Sequence, residues 1–474
     1  MTTTNGNRKI LDMKRWEMCA AVPIATGAGA FTILSRHITP LVMYFPPSNI
    51  TPFIYDPAED GFIPIVGHGL VANPAAGSTG VATSFGPSGT CPLSGTSTSI
   101  QVNEVLSRDL RGYKIRILSG PGAGDVRTIA SNPVGASGAV TVTAAFSATP
   151  DTSTVYQFIT PRFWAITAGS TAAASFRMYD WVTNTWTSMA NSPASLSSDS
   201  KMVATPSFIG TDFHPFATGT ATSGGSSTLT NTAKNWTTNQ WTNSQIRITA
   251  GTGIGQIRSI ASNTATVITV ATAWTTQPDN TSTYSIEGND DYLYLFGSAA
   301  NTTRRYQIST NTWGTVTNRG GVTGVGLSGQ WIFEVPDADW NVENTIKNGR
   351  YIYSFRGGGV QNLDVYDIAL NTWSTSVPPM LHSAETNTTG WKYSYSNDSI
   401  YTLPGIGATI GNRVMRYNVP KAQWEPFSHT YYTQGAAVVG DTMFNVRYVD
   451  GATEIDYVYM MLNTSNIMLR CMVI

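Results

Sequence analysis

Tyr366-Asp-Ile-Ala-Leu-Asn-Thr-Trp373 decides how this chain is read. It returns as Tyr179-Asp-Trp-Val-Thr-Asn-Thr-Trp186, as Tyr306-Gln-Ile-Ser-Thr-Asn-Thr-Trp313 and as Tyr417-Asn-Val-Pro-Lys-Ala-Gln-Trp424. A weaker copy is Tyr55-Asp-Pro-Ala-Glu-Asp-Gly-Phe62. In each copy an aromatic follows the Tyr by seven positions, across a polar turn rich in Asn and Asp. Such spacing predicts a strand, a tight reversal and a second strand opening on the Trp.

The residues ahead of the hairpin repeat as well. Tyr351-Ile-Tyr-Ser-Phe355, Tyr292-Leu-Tyr-Leu-Phe296 and Ile400-Tyr-Thr-Leu403 are short apolar runs of the kind that form buried strands. Glycine stands nine or ten residues before the Tyr, at Gly357 (followed by Gly358), Gly297 and Gly169, where a chain passing between strands can use positive φ. The unit is therefore strand, Gly turn, strand with Tyr, polar turn, strand with Trp. It resembles the kelch repeat, which implies an all-β, kelch-like β-propeller of four-stranded blades, here about six. The Tyr and Trp positions, with Gly357 and Gly358, are then structural repeat residues that pack blade on blade.

Two Tyr-to-Tyr intervals, 55 to 179 and 179 to 306, are about twice as long as the later ones, so material has been inserted twice. The inserts are related. Gly120-Pro-Gly-Ala-Gly-Asp-Val-Arg-Thr-Ile-Ala-Ser-Asn132 matches Gly251-Thr-Gly-Ile-Gly-Gln-Ile-Arg-Ser-Ile-Ala-Ser-Asn263, and Pro150-Asp-Thr-Ser-Thr-Val-Tyr156 matches Pro278-Asp-Asn-Thr-Ser-Thr-Tyr284. Each reads as a β module of about four or five strands with hairpins at the glycines and at Pro-Asp, looped out between the first two strands of neighbouring blades. Equivalent loops leave a propeller on one face, so the modules should stand side by side.

The division that follows is residues 1–35, an N-terminal arm and first strand; 36–94, propeller; 95–159, first module; 160–217, propeller; 218–287, second module; and 288–474, the remaining blades. The arm is expected to lie on the domain or on a neighbouring subunit. The last, degenerate blade takes Met443-Phe-Asn-Val446, Tyr459 and Ile467–Ile474, with no Trp seven positions after its Tyr.

Composition sets limits on function. Net charge is −1 and charged residues are 12%, which gives no field to collect nucleic acid. No run approaches the roughly 20 apolar residues of a membrane span. The basic residues Arg8, Lys9, Lys14 and Arg15 precede only a short apolar run broken by Pro23 and Gly27, which argues against a signal peptide. Cys19, Cys91 and Cys471 are odd in number and widely spaced, so neither a disulfide framework nor a zinc site follows from them.

The search for chemistry yields no catalytic, cofactor-binding or metal-ligating set. His37, His68, His214, His382 and His429 show no ligand spacing. Asp56, Glu59, Asp60, Asp290 and Asp291 are acidic residues in polar turns, where turn formation is their commoner role than paired-carboxylate catalysis. Gly251-x-Gly-x-Gly is followed by no helical pattern, which removes a phosphate-loop reading.

The paired modules are similar to small β insertions in tail and fibre-associated proteins of tailed bacteriophages. That resemblance implies a non-enzymatic structural protein of the virion, on tail, baseplate, fibre or capsid, oligomeric and in contact with other virion proteins. The alternative is a carbohydrate-binding or glycan-degrading propeller acting on host surface polysaccharide, with Trp236, Trp241 or Trp340 stacking on sugar rings.

Overall fold

The computed structural model describes residues 16–25, 31–35, 41–47, 49, 51–65, 73–74, 78–167, 175–192, 201–204, 215–296, 303–318, 332–334, 351–355, 363–374, 389–394, 399–403, 413–418, 421, 423–430, 442–450, 453–461 and 466–473. Every element of regular structure among them is a β-strand, and every pairing is antiparallel.

Six of the sheets among the described residues have four strands. The first runs Phe31–Ser35, Leu41–Phe45, Phe53–Asp56, Gly61–Pro64. The second is Thr79–Thr83, Arg162–Thr167, Ser175–Asp180, Thr185–Ser188. The third is Lys201–Ala204, Tyr292–Phe296, Thr303–Gln307, Thr312–Thr315. The fourth is Ile332–Glu334, Tyr351–Phe355, Leu363–Asp367, Thr372–Ser374, and the fifth Thr389–Ser394, Ser399–Leu403, Arg413–Asn418, Gln423–Thr430. The sixth combines Thr442–Asp450, Thr453–Met461 and Met468–Val473 with Trp16–Met18 from the N-terminal end. Their leading strands neighbour one another in order, and the leading strand of the sixth returns to that of the first. The fold is a closed β-propeller.

The apolar runs of the first three sheets are continuous because each of these sheets is covered on both faces. In the second sheet Phe163 and Ala165 pack with Ile33, Met43 and Phe45 of the first. Their neighbours Trp164 and Ile166 point the other way, against Leu293, Leu295 and Tyr306 of the third. Tyr294 and Phe296 meet Ile352 and Tyr366 of the fourth, and Val446, Tyr459 and Met461 of the sixth close on Val42, Tyr44 and Tyr55 of the first.

Two expectations about the ends need correction. Trp16–Met18 is not an arm laid over the surface: it pairs with Cys471, Arg470 and Leu469 as the outermost strand of the sixth sheet. Tyr459 is not the repeated Tyr of that sheet either, since it sits on the second strand, opposite Phe444 and Arg470. The fourth strand of this sheet comes from Trp16–Met18, so no Tyr-to-Trp hairpin follows within it in sequence.

The inserts are larger than four or five strands. The first has six, ordered Ser88–Thr90, Val155–Ile159, Lys114–Ser119, Val126–Ser131, Ala136–Val142, Ser99–Leu106 across the sheet, so it takes in residues ahead of 95. The second has seven, from Ala217–Thr220 to Thr283–Glu287. Each has its own core. The glycine turns are hairpins, joining Lys114–Ser119 to Val126–Ser131 and Gln245–Ala250 to Ile257–Asn263. The Pro-Asp turns are not. After Pro150-Asp151 the chain crosses over, and Val155–Ile159 pairs with Lys114–Ser119 and Ser88–Thr90.

Candidate functional site

The five aromatic pairs share one geometry. Tyr55 and Phe62, Tyr179 and Trp186, Tyr306 and Trp313, Tyr366 and Trp373, and Tyr417 and Trp424 are direct cross-strand partners. Their ring centroids lie 4.8, 5.2, 5.0, 5.2 and 5.1 Å apart. Five residues after the Tyr the turn enters the left-handed region, at Asp60, Asn184, Asn311 and Asn371, with φ of 49°, 55°, 52° and 53°. Asn and Asp tolerate that conformation better than other residues with a side chain. The side chain then takes the tyrosine hydroxyl: Tyr55, Tyr179, Tyr306 and Tyr366 donate to Oδ1 of these residues at 2.7, 2.5, 2.7 and 2.7 Å.

The same turn grips the sheet before it. Asn311 Oδ1 accepts from the backbone N–H of Ala190 at 2.8 Å while Trp313 Nε1 donates to the carbonyl of Ala190 at 2.8 Å. Asn371 Oδ1 and Trp373 Nε1 hold Thr317 in the same way, at 2.8 and 3.0 Å. Across the ring closure Asp60 Oδ1 accepts from Ala20, just past the N-terminal strand, at 3.0 Å. The repeated Tyr, Asn and Trp thus form an inter-sheet clasp. Burial pushes the Tyr44, Tyr113, Tyr156, Tyr179, Tyr306 and Tyr366 hydroxyls up from their ordinary value, so these groups stay protonated donors. Gly357 and Gly358 lie outside the described residues.

A loop between a first and second strand leaves a meander on the same side as the turn between its third and fourth. The modules accordingly touch those turns. Ser107 of the first module bonds through N and Oγ to the carbonyl of Val182, at 2.9 and 2.8 Å, and Arg108 lies 3.6 Å over Trp181. Asn243 of the second donates to the carbonyl of Ile368 at 3.0 Å.

The modules also touch each other, through their glycine hairpins. A Cβ on Gly255 would stand 2.9 Å from Gly124 N, and one on Gly124 would stand 2.4 Å from Ile254 Cγ1; both glycines have positive φ, +87° and +88°. Gly255→Ala is therefore expected to cost about 1–3 kcal/mol, from left-handed strain and the backbone clash. Hydrogen exchange should then rise in both hairpins. Unchanged protection around Gly124 would show that the contact is not shared.

Between the modules and the second and third sheets lies a cleft of roughly 680 Å³. Arg116 lines it, gripped by Gln157 Oε1 through Nε at 3.0 Å and Nη2 at 2.6 Å, with its guanidinium 3.8 Å over Phe85. Asp290, on the segment returning from the second module, approaches Arg116 Nη2 to 3.8 Å. Burial lowers Arg116 to about 10. Burial raises Asp290 from 3.8 to about 6, partly offset by Arg116 and reinforced by Glu287 and Asp291.

Between those two pH values the folded chain holds a proton that the unfolded chain has released, so the Asp290 contribution to stability declines as pH rises from about 4 through about 6. The stability difference between wild type and Asp290→Asn should fall by about 1–3 kcal/mol over that window, nearer the lower figure because the side chain is 17% exposed. Urea unfolding at four pH values measures it; a constant difference contradicts the assignment.

The other acidic candidates are turn formers. Asp56 Oδ1 accepts from Ala58 N at 2.9 Å, Asp60 belongs to the clasp, and Asp291 takes Ser309 N and Oγ at 2.7 Å each and Gln307 at 2.8 Å. Glu59 is exposed. None of the three cysteines is in a disulfide, and burial raises the Cys19 and Cys91 thiols to about 11. No group of three or more His, Cys, Asp or Glu suited to a metal occurs among the described residues. His37, His68, His214, His382 and Trp340 fall outside them, and His429 lies in the outer strand of the fifth sheet. Trp236 and Trp241 are 4% and 0% exposed in the second module's core, so they cannot stack on a sugar. Arg116 was not singled out by sequence; its signal is the duplication, since Arg247 is its counterpart with a different partner.

No protein-family model matches the chain, and no curated protein sequence does either. Among solved structures, a chain of the mitotic checkpoint complex aligns over 100% of this chain and 97% of its own, at 8% identity and a TM-score of 0.35. A mutant of AofleA from Arthrobotrys oligospora aligns over 98% and 87%, at 9% identity and a TM-score of 0.38. The structural neighbours are β-propellers of WD40 and kelch-like type. No described helix is long and apolar enough to cross a membrane.

Proposed function

We propose that the chain is a non-enzymatic structural component of a tailed-bacteriophage virion, assembling in several copies on tail, baseplate, fibre or capsid. The paired modules are its contact surface, toward neighbouring virion subunits or the host. What supports this reading is one observation: two modules with separate cores are bonded to the ring and abut through their hairpins, which makes a single raised platform. A platform tied down at several points loses little conformational freedom on docking. Mass spectrometry of purified particles tests it, with a stoichiometric band as the expected result. Absence from purified particles, while the protein is abundant in the infected-cell lysate, ends it.

A second reading is a carbohydrate-binding propeller acting on host surface polysaccharide. The cleft between the modules favours it, because hydroxyl and amide groups line it beside Arg116 and Arg258.

A further inference from the structure

We propose that the inter-module cleft binds a carboxylate-bearing saccharide, held by Arg116 of the first module and Arg258 of the second. This deepens the carbohydrate-binding reading and rests on it, independently of the virion reading.

Duplication supplies an internal control. Ile115-Arg116-Ile117 matches Ile246-Arg247-Ile248, and Val126-Arg127-Thr128-Ile129 matches Ile257-Arg258-Ser259-Ile260. Arg127 and Arg258 lie alike, donating through Nε to the carbonyls of Ala145 and Ala273 at 2.7 and 3.0 Å. The two arginines that do not line the cleft each have a carboxylate in their own module: Arg247 with Glu287 and Arg127 with Asp125, both at 2.7 Å. The two that line it have lost that partner. Ile159 stands where the second module has Glu287, and Gln256 stands where the first has Asp125.

Of the three arginines lining the cleft, Arg162 pairs with Asp180 at 2.8 Å, while Arg116 and Arg258 have no carboxylate within hydrogen-bond reach among the described residues. Arg116 is 6% exposed, its Nη1 has no acceptor, and Asp290 at 3.8 Å lies beyond hydrogen-bond reach. Arg258 donates to the carbonyls of Ala273 and Ile257 and to Thr275 Oγ1, and has no carboxylate partner among the described residues. A buried guanidinium whose ion pair is as long as that of Arg116 with Asp290 is incompletely compensated. Together with Arg258, partly exposed on the same cleft and without a carboxylate partner among the described residues, it points to an anion supplied from outside.

The volume suits a small ligand, and Ser88, Ser119, Thr276 and Gln157 offer hydroxyl and amide groups suited to a polyol. A planar carboxylate matches the guanidinium fork. As a monoanion it meets less repulsion from Asp290 and Asp291 than a phosphate dianion would.

Calorimetric titration of the full chain with tetragalacturonate, maltotetraose and a tetraglutamate peptide tests this. Tetragalacturonate is expected to bind, maltotetraose to bind at least about ten-fold more weakly, and added salt to weaken the acid sugar. Arg258→Gln, on a partly exposed residue, should reduce that affinity about ten-fold, and Arg127→Gln should leave it unchanged. Arg116→Lys keeps the charge without the fork and should weaken binding while circular dichroism reports a folded chain. Equal binding of both sugars overturns the anion inference and leaves the saccharide reading. Binding of neither overturns both, and tighter binding of tetraglutamate assigns the cleft to an acidic peptide. None of these outcomes alters the particle-composition test.

Discussion

A chain lacking residues 1–20 loses the outer strand of the sixth sheet and is expected to lose cooperative folding. The deletion removes the ladder from Trp16–Met18 to Leu469–Cys471, the Glu17–Arg470 ion pair at 3.0 Å and the Ala20 bond to Asp60. It also bares an edge beside Met468, Leu469 and Cys471, which are 0%, 3% and 1% exposed. Each ladder bond contributes about 1 kcal/mol and the newly exposed apolar area about 25 cal/mol per Å², for a loss on the order of 5 kcal/mol. An open edge of this kind also invites aggregation. Thermal unfolding followed by circular dichroism and light scattering measures both effects. Attaching the same segment behind Val473 through a two-residue turn should restore the transition, because the strand it forms is antiparallel to its partner. A deletion that melts like the parent contradicts the closure.

Asn311→Ala is the second large effect, expected at about 3–5 kcal/mol. It strips the acceptor from two donors, the Tyr306 hydroxyl and the Ala190 amide, each costing about 1–2 kcal/mol when left unpaired, and it places alanine at φ 52° for about 1 kcal/mol more. Two companions divide these contributions. Asn311→Gly keeps the backbone and loses the acceptor; Asn311→Asp keeps both and should be nearly neutral, as Asp60 is in the first sheet. Tyr306→Phe combined with Asn311→Ala should cost less than the sum, since both remove one bond. Additive costs from urea unfolding would show that the two side chains act separately.

The fold was legible because its determinants are local. A Tyr, a turn residue able to adopt positive φ and an aromatic seven positions from the Tyr specify a hairpin without reference to the rest of the chain, and continuous runs such as Leu41–Phe45 announce strands covered on both faces. The modules were found by their duplication. Their strand number was not, because short polar strands such as Ser88–Thr90 and Ser223–Gly225 carry no apolar pattern and exist only by pairing. Trp16–Met18 was missed for a related reason: its partner lies 453 residues away at Arg470, and three residues have no periodicity to read. The cleft depends on which arginine lost its carboxylate, which becomes informative only once the hairpins are known to abut. Trp236 and Trp241 were ambiguous for the opposite reason, since a Trp filling a small core and a Trp awaiting a sugar look the same in sequence.

Because Trp16–Met18 and Met468–Val473 complete one sheet, synthesis on the ribosome runs against the architecture. Trp16 emerges before the strands of all six sheets that follow it, yet its seat beside Cys471 exists only after residue 471 has left the exit tunnel. Until then the nascent ring stays open on two edges. Ribosome stalling ahead of the codons for Met468–Val473 should therefore yield nascent chains that demand chaperones.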